Sequence, residues 1–155
     1  MLALVVLSAG VLVYLLDRPP GSAWLVPSAW QLGVSGQWFG PLGQWLPSLA
    51  HAFAFSVLTA LCLPRRHGMI VGACAAWAAI DTLAELGQHP SVSHALAEML
   101  ARALGQGTLV VQTGRYFTQG VFDLGDVVSG LAGALAAYGV LRHMLPPLRL
   151  AQRSP

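Results

Sequence analysis

Five ionisable residues lie inside apolar stretches of this chain, where charged side chains are rare. They are His51, Asp81, Glu85, Asp123 and Asp126. A charge at the centre of a membrane helix costs about 2.5–3.5 kcal/mol on insertion scales, so its presence indicates a role. Carboxylates and imidazole can bind a cation, relay a proton or ligate a metal that activates water. Each of the five is therefore a candidate for binding or catalysis.

The spacing of these residues predicts that they share helix faces. Residues three or four positions apart lie on one side of an α-helix. Three such groups occur: Trp77, Asp81, Glu85 and His89; Asp123 and Asp126; and His51, Phe55 and Thr59. Three polar faces turned toward one another would form an acidic pocket.

The composition predicts an integral membrane protein. Of the 155 residues, 55% are hydrophobic and 9% are charged, whereas a soluble domain has about 25% charged residues. So few charged side chains cannot cover a soluble fold, which excludes an ordinary cytosolic enzyme and a nucleic-acid binder. The lipid bilayer is therefore the expected partner of most of the surface, and residues 1–155 suit a single domain.

Four apolar stretches predict an all-α integral membrane bundle of four transmembrane helices. They cover about residues 1–16, 46–63, 68–87 and 121–141, and a span needs about 20 residues. The first stretch is short, so it must thin the bilayer or include flanking residues. Because no positively charged side chain precedes it, we expect a retained anchor rather than a cleaved signal peptide.

The arginines predict the orientation of the bundle. The chain has eight arginines and no lysine; two lie between the second and third stretches, and three follow the fourth. The long loops 17–45 and 88–120 share the other three. The positive-inside rule then places both termini in the cytoplasm, in a multi-pass arrangement in the cell membrane. This orientation brings the five ionisable residues within about one to two helical turns of the outer boundary.

The sequence of the second outer loop predicts an amphipathic helix on the membrane surface. Ser91 is the expected N-cap of a helix over 91–104, on which His94, Glu98 and Arg102 form one polar stripe. The remaining face is apolar, as in helices that lie in the membrane interface. The residues at 108–112 favour an extended segment, followed by a turn at 113–114.

Small residues at intervals of four predict close contacts between the spans. The positions are Gly125, Ser129, Gly133 and Ala137, with Gly130 and Ala134 beside them, and Gly68, Gly72 and Ala76 in the third stretch. Such spacing lets helix backbones approach closely. We expect these contacts to hold the acidic faces in register.

Three segments together resemble VanZ-like membrane proteins, small bundles named after a teicoplanin-resistance determinant. They are SLAHAFAFSVLTALCL (48–63), AAWAAIDTLAELGQHP (75–90) and GVFDLGDVVSGLAGALAAYG (120–139), about half the chain. The family pattern has a His before an aromatic-rich span, an acidic residue followed by Gln, and an acidic pair that opens a Gly-rich last helix. His51, Glu85 with Gln88, and Asp123 with Asp126 occupy these places. The family usually has an Arg a few residues before the last acidic group. In this chain the nearest Arg before Asp126 is Arg115, which lies further upstream.

The resemblance implies a bacterial cell-envelope protein that affects susceptibility to glycopeptide antibiotics such as teicoplanin. The first hypothesis is an outer acidic pocket that binds a cell-wall-related or lipid-linked ligand, or a cation. Its candidate residues are His51, Asp81, Glu85, Gln88, Asp123 and Asp126. The sequence assigns no reaction and no cofactor.

Three other hypotheses remain open at this stage. One is a metal-dependent membrane enzyme acting on a lipid-linked phosphate, with His51, Glu85, Asp123 and Asp126 as metal ligands. Another is a proton-coupled carrier, which with four spans would require a homo-oligomer to enclose a path. The last is a polar network that only fastens the helices together.

Overall fold

The structure is a computed structural model that describes residues 1–18, 28–30 and 38–144. Those residues form six α-helices, a short 3-10 turn at Ser28–Trp30, and no strand. The helices are α1 (Leu2–Leu16), α2 (Leu42–Cys62), α3 (His67–Gly87), α4 (Ser93–Leu104), α5 (Thr108–Gln119) and α6 (Leu124–Met144). The all-helical fold class predicted from the sequence is confirmed.

Three helices are long and apolar enough to cross a membrane. They are α2, α3 and α6, each of 21 residues with a mean hydropathy of 1.5 over its most apolar window. A helix of that length extends about 31 Å, close to the hydrocarbon thickness of about 30 Å. The apolar helix α1 is shorter, with 15 residues. The sequence predicted these four segments within a few residues at each end.

The second helix, α2, is the centre of the bundle. It packs against α1, α3 and α6, and its contact with α6 is the most extensive in the described chain. An apolar core, with Phe53, Val57, Ile70 and Leu141 among its buried members, fills the half of the bundle near the α2–α3 turn. The ionisable residues lie in the other half, toward the start of α2 and α6 and the end of α3.

Small residues of α6 permit this packing, as the sequence predicted. Gly130, Gly133, Ala134 and Ala137 are all buried. A methyl group at Gly133 would overlap the backbone carbonyl of Leu49 in α2. Only glycine therefore fits where the two helices cross.

The predicted contact of the small residues in α3 is wrong. Gly68, Gly72 and Ala76 are exposed, and no side chain or backbone of another element lies near either glycine. The helix instead turns Ile70, which is buried, and Trp77, which is partly buried, toward its neighbours, where their larger side chains gain van der Waals contacts. The indole nitrogen of Trp77 also donates a 2.8 Å hydrogen bond to Thr59 Oγ1 of α2.

The helix predicted over 91–104 begins at Ser93 and ends at Leu104. Ser91 is not its N-cap, since no side chain caps the helix and the Ser91 backbone N–H points to His89 Nδ1 at 3.3 Å. Gly105, with a φ of 82°, ends the helix, as glycine commonly does. The position of α4 relative to a membrane surface stays a prediction.

The extended segment predicted at 108–112 and the turn predicted at 113–114 are both wrong, because Thr108–Gln119 forms the helix α5. The β-branched residues Val110 and Val111 favour a strand, but tertiary packing overrides such preferences. Helices α4 and α5 pack against each other. A methyl group at Gly114 would lie 3.5 Å from Ala97 Cβ, which brings the two helices into close contact there.

The end of α1 is tied to the start of α2 by polar contacts. The Asp17 carboxylate accepts hydrogen bonds of 2.9 Å from the backbone N–H groups of Trp38 and Phe39. Arg18 donates a 3.3 Å hydrogen bond to the backbone carbonyl of Gln44. These contacts set the position of α1 beside α2.

The crossing of α2 and α6 can be tested with two alanine substitutions in α6. We expect Gly133→Ala to lower the free energy of unfolding by about 1–3 kcal/mol, because the added methyl overpacks the contact with Leu49. The matched control is Gly139→Ala, where no atom lies within 4 Å of the added carbon. Thermal unfolding in detergent measures both, and equal stability of the two variants would contradict the contact.

Candidate functional site

Three carboxylates converge where α3 meets α6. Asp81 and Glu85 lie one turn apart on α3, and the carboxylate of Asp126, on the first turn of α6, interacts electrostatically with both. All three side chains are partly buried. We call Asp81, Glu85 and Asp126 the acidic cluster; the sequence singled out all three.

Three interactions stabilise the carboxylate of Asp126. Ser48 Oγ of α2 donates a 2.9 Å hydrogen bond to Asp126 Oδ1. The position of Asp126 at the start of α6 favours a negative charge, because the free backbone N–H groups give that end a partial positive charge. Arg18 adds an attractive interaction from the end of α1.

Glu85 receives two long hydrogen bonds. The backbone N–H of Asp123 donates to Glu85 Oε2 at 3.4 Å, and Gln88 Nε2 donates to Glu85 Oε1 at 3.5 Å. Gln88 is buried, with 8% of its surface exposed. The structure therefore brings Gln88 to the cluster as a neighbour of Glu85.

The carboxylate of Asp123 is engaged at the start of its own helix. Its Oδ1 accepts a 2.7 Å hydrogen bond from the backbone N–H of Gly125, and its carbonyl accepts the first backbone bonds of α6. These are the contacts of an N-cap residue. Asp123 is exposed, so it lies at the rim of the cluster, to which it contributes its backbone N–H and its charge.

Asp81 has a buried oxygen without a partner. No hydrogen bond reaches its Oδ2 from the described part of the chain. The atom lies against Gly130 of α6, where an added methyl would come within 3.1 Å of it. Because a buried polar atom without a partner costs about 1–3 kcal/mol, this oxygen is the place in the cluster where a proton or a ligand donor would be stabilised most.

The contacts of His51 are with aromatic rings. It is nine residues into α2, about 14 Å along the helix axis from Leu42. Its ring stacks between Tyr14 of α1 and Phe55, with ring centroids 6.1 and 5.8 Å away. Among the described residues it has no hydrogen bond or ion pair with a carboxylate.

The rings around His51 continue into a row that crosses three helices. Phe55 stacks on Trp77 of α3 with centroids 4.8 Å apart. The row of Tyr14, His51, Phe55 and Trp77 therefore links α1, α2 and α3. It confirms that His51, Phe55 and Thr59 share one face of α2, since Trp77 contacts Phe55 and Thr59.

Sequence reasoning missed two residues at the cluster. Tyr14 interacts electrostatically with all three of its carboxylates, and Ser48 is hydrogen-bonded to Asp126. Ser48 lies three positions before His51, so the face already singled out on α2 included it. No comparable signal marked Tyr14, because a tyrosine near the end of an apolar helix is common at membrane boundaries.

The described residues contain no group of three or more His, Cys, Asp or Glu side chains that could hold a metal ion. Of the four ligands considered from the sequence, His51 lies in the aromatic row and Asp123 caps α6. Of these four predicted ligands, only Glu85 and Asp126 belong to the acidic cluster. These four side chains therefore do not form one metal-ligating group among the described residues.

The bond between Ser48 and Asp126 can be tested by removing the hydroxyl. We expect Ser48→Ala to lower the free energy of unfolding by about 1–3 kcal/mol, because a partly buried carboxylate loses a donor. Ser8→Ala is the matched control: Ser8 is exposed and bonds only to the carbonyl of its own helix, so we expect a change within about 0.5 kcal/mol. Denaturant titration of both variants in the same detergent measures the difference, and an equal effect would contradict the bond.

Comparison with protein-family models, curated proteins and solved structures gives no match for this chain.

Proposed function

We propose that this chain is a multi-pass cell-membrane protein of VanZ-like type, and that its acidic cluster binds a ligand at the outer face. The ligand would be cell-wall-related or lipid-linked and would present a cationic or hydrogen-bond-donating group. The observation that carries the proposal is the convergence of Asp81, Glu85 and Asp126, with no cation from the described residues ion-paired to them. The one ion pair among the described residues, Glu98 with Arg102, lies on the exposed face of α4.

The proposal includes α1 as the fourth span and both termini in the cytoplasm. Packing of α1 along α2 supports its place in the bundle, and local thinning of the bilayer accommodates its 15 residues. The arginines of the α2–α3 turn support the orientation. In this orientation the last turn of α3 and the first turn of α6, which carry Glu85 and Asp126, face outward.

The chemistry of the cluster indicates the kind of group that it would bind. Ionised carboxylates only accept hydrogen bonds, and their mutual repulsion is relieved by a proton or a positive charge between them. An ammonium group or another cationic donor supplies both. The same cluster repels phosphate, so a lipid-linked ligand would enter with a group other than its phosphate.

A proton-coupled carrier is a second candidate, favoured by the unpartnered Asp81 Oδ2. Asp81 is four residues before Glu85, so it lies about 6 Å deeper along α3 and would extend a proton path inward. Carboxylates in membrane proteins commonly relay protons. A flux driven by a pH gradient in liposomes, and abolished by Asp81→Asn, would favour the carrier over a binding site.

The orientation can be tested by thiol accessibility in intact cells. In a background with Cys62→Ala and Cys74→Ala, we expect Arg65→Cys to resist a membrane-impermeant maleimide until the cells are permeabilised. We expect Gln106→Cys, in the turn between α4 and α5, to react in intact cells. Modification of Arg65→Cys from outside would refute the orientation.

The function of the cluster can be tested with neutral, nearly isosteric substitutions. If the carboxylates bind the ligand, then Glu85→Gln with Asp126→Asn should abolish the effect of the protein on teicoplanin susceptibility. Glu98→Gln is the matched control, because Glu98 is exposed on α4, and it should leave the effect unchanged. Membrane levels and thermal stability must be comparable in all strains. Full activity of the double variant would refute the binding site.

A further inference from the structure

The helices α4 and α5 form a hairpin whose two ends join the bundle at the acidic cluster. We call this unit, Ser93–Leu104 with Thr108–Gln119, the α4–α5 hairpin. It connects the end of α3, which carries Glu85, to the start of α6, which carries Asp126. Three contacts at its base hold it there.

The first contact is made by apolar side chains on the last residue of α3. A methyl group at the buried Gly87 would lie 2.6 Å from the Phe117 ring of α5 and 3.2 Å from Leu96 of α4. Both helices of the hairpin therefore rest on Gly87, two residues after Glu85. A methyl group there would force the Phe117 ring, the nearer of the two side chains, to move.

The second contact joins the far end of the hairpin to Gln88. A methyl group at Gly120, directly after α5, would overlap the Gln88 side chain. The φ of Gly120 is −69°, which suits any residue, so glycine is needed here for space and not for backbone conformation. The amide of Gln88, held beneath Gly120, is the same amide that donates to Glu85.

The third contact is the phenol of Tyr116 on α5. It interacts electrostatically with Glu85 and Asp81 and has a hydrogen-bonding contact with Gln88. Burial, together with the carboxylate of Glu85, raises the pKa of Tyr116 to about 12. The phenol therefore keeps its proton at physiological pH and remains able to donate a hydrogen bond.

Beyond its base, the hairpin has little attachment to the bundle. Ser93 is the only buried residue of α4, and α5 has none. Apolar side chains along it, such as Met99, Leu104 and Leu109, are more than half exposed. Elements with few buried apolar contacts open at low free energy, so the hairpin can lift without disturbing the packing of α2 and α6.

We infer that the α4–α5 hairpin is a lid over the acidic cluster, and that Gln88 is the positioning residue through which the docked lid orients Glu85. The inference rests on the proposed function in taking the cluster as the binding site. When the hairpin is docked, Phe117 and Tyr116 cover the Glu85 side of the cluster. When it lifts, Gln88 is no longer confined by Gly120, and Glu85 becomes accessible from the outer side.

The test compares Gly120→Ala with Gly107→Ala in protein reconstituted into lipid nanodiscs. Gly107 has an ordinary φ of −62° and no atom within 4 Å of an added methyl, so it is a matched glycine control. One readout is the fraction of Glu85 modified by a hydrophobic carbodiimide, measured by mass spectrometry. The other is amide hydrogen exchange across residues 93–119.

We expect Gly120→Ala to raise both the modification of Glu85 and the exchange of the hairpin several-fold, with exchange in α2 and α6 unchanged. The control should match the unsubstituted protein. Phe117→Ala removes a base contact without adding a clash, and it should shift both readouts in the same direction. That variant decides the outcome if Gly120→Ala does not fold.

A double variant separates docking from positioning. Gln88→Ala with Gly120→Ala makes room for the methyl, so hairpin protection should return while Glu85 stays more reactive than in the unsubstituted protein. If hairpin protection returns in the double variant and Glu85 is modified no more than in the unsubstituted protein, the role of Gln88 is refuted. Unchanged readouts in Gly120→Ala and Phe117→Ala would refute the lid. Neither readout needs a ligand, so the lid can stand even if the double carboxylate variant keeps full activity and the proposed function fails.

Discussion

The close crossing of α2 and α6 determines where the polar side chains of this bundle meet. At Gly133 the backbone of α6 reaches the carbonyl of Leu49, so neither helix can slide or turn without a clash. Ser48 precedes Leu49, and Asp126 lies two turns before Gly133, which brings these two side chains within hydrogen-bonding distance. Gly130, one turn from the crossing, gives Asp81 of α3 its place against α6.

The helix ends stabilise the negative charges of the cluster to different degrees. Asp126 lies in the first turn of α6, where the helix dipole stabilises a negative charge, and Glu85 lies in the last turn of α3, where the dipole opposes it. Asp126 has a direct hydroxyl donor at 2.9 Å, whereas the donors to Glu85 are 3.4 and 3.5 Å away. Glu85 therefore gains more than Asp126 from an added proton or cation.

The sequence predicted five of the six described helices and all three carboxylates of the cluster, because these follow from periodicity. Apolar runs located the spans, and intervals of three and four placed Asp81, Glu85 and Asp126 on inward faces. The place of His51 along α2 was harder to predict, since the helix begins at Leu42, four residues before the apolar run at 46–63. Asp123 resembled a pocket residue, but a helix N-terminus in need of a cap engages its carboxylate.

Tertiary contacts decided the features that periodicity could not. The helix α5 exists because it packs on α4, against the local preference of its valines. The rotation of α3 follows from the bond between Trp77 and Thr59, which leaves Gly68 and Gly72 exposed although their spacing suited a contact. The conformation of α5 and the rotation of α3 therefore depend on contacts with residues that are distant in sequence.

The aromatic row across α1, α2 and α3 has a practical optical consequence. Aromatic rings fixed in an asymmetric environment give near-ultraviolet circular dichroism, which disappears when tertiary packing is lost but helices remain. Trp77 is held in this way by Phe55, 4.8 Å away between ring centroids, and by its hydrogen bond to Thr59. The bundle therefore carries an intrinsic spectroscopic reporter of native packing, which can follow detergent extraction and refolding before any ligand is known.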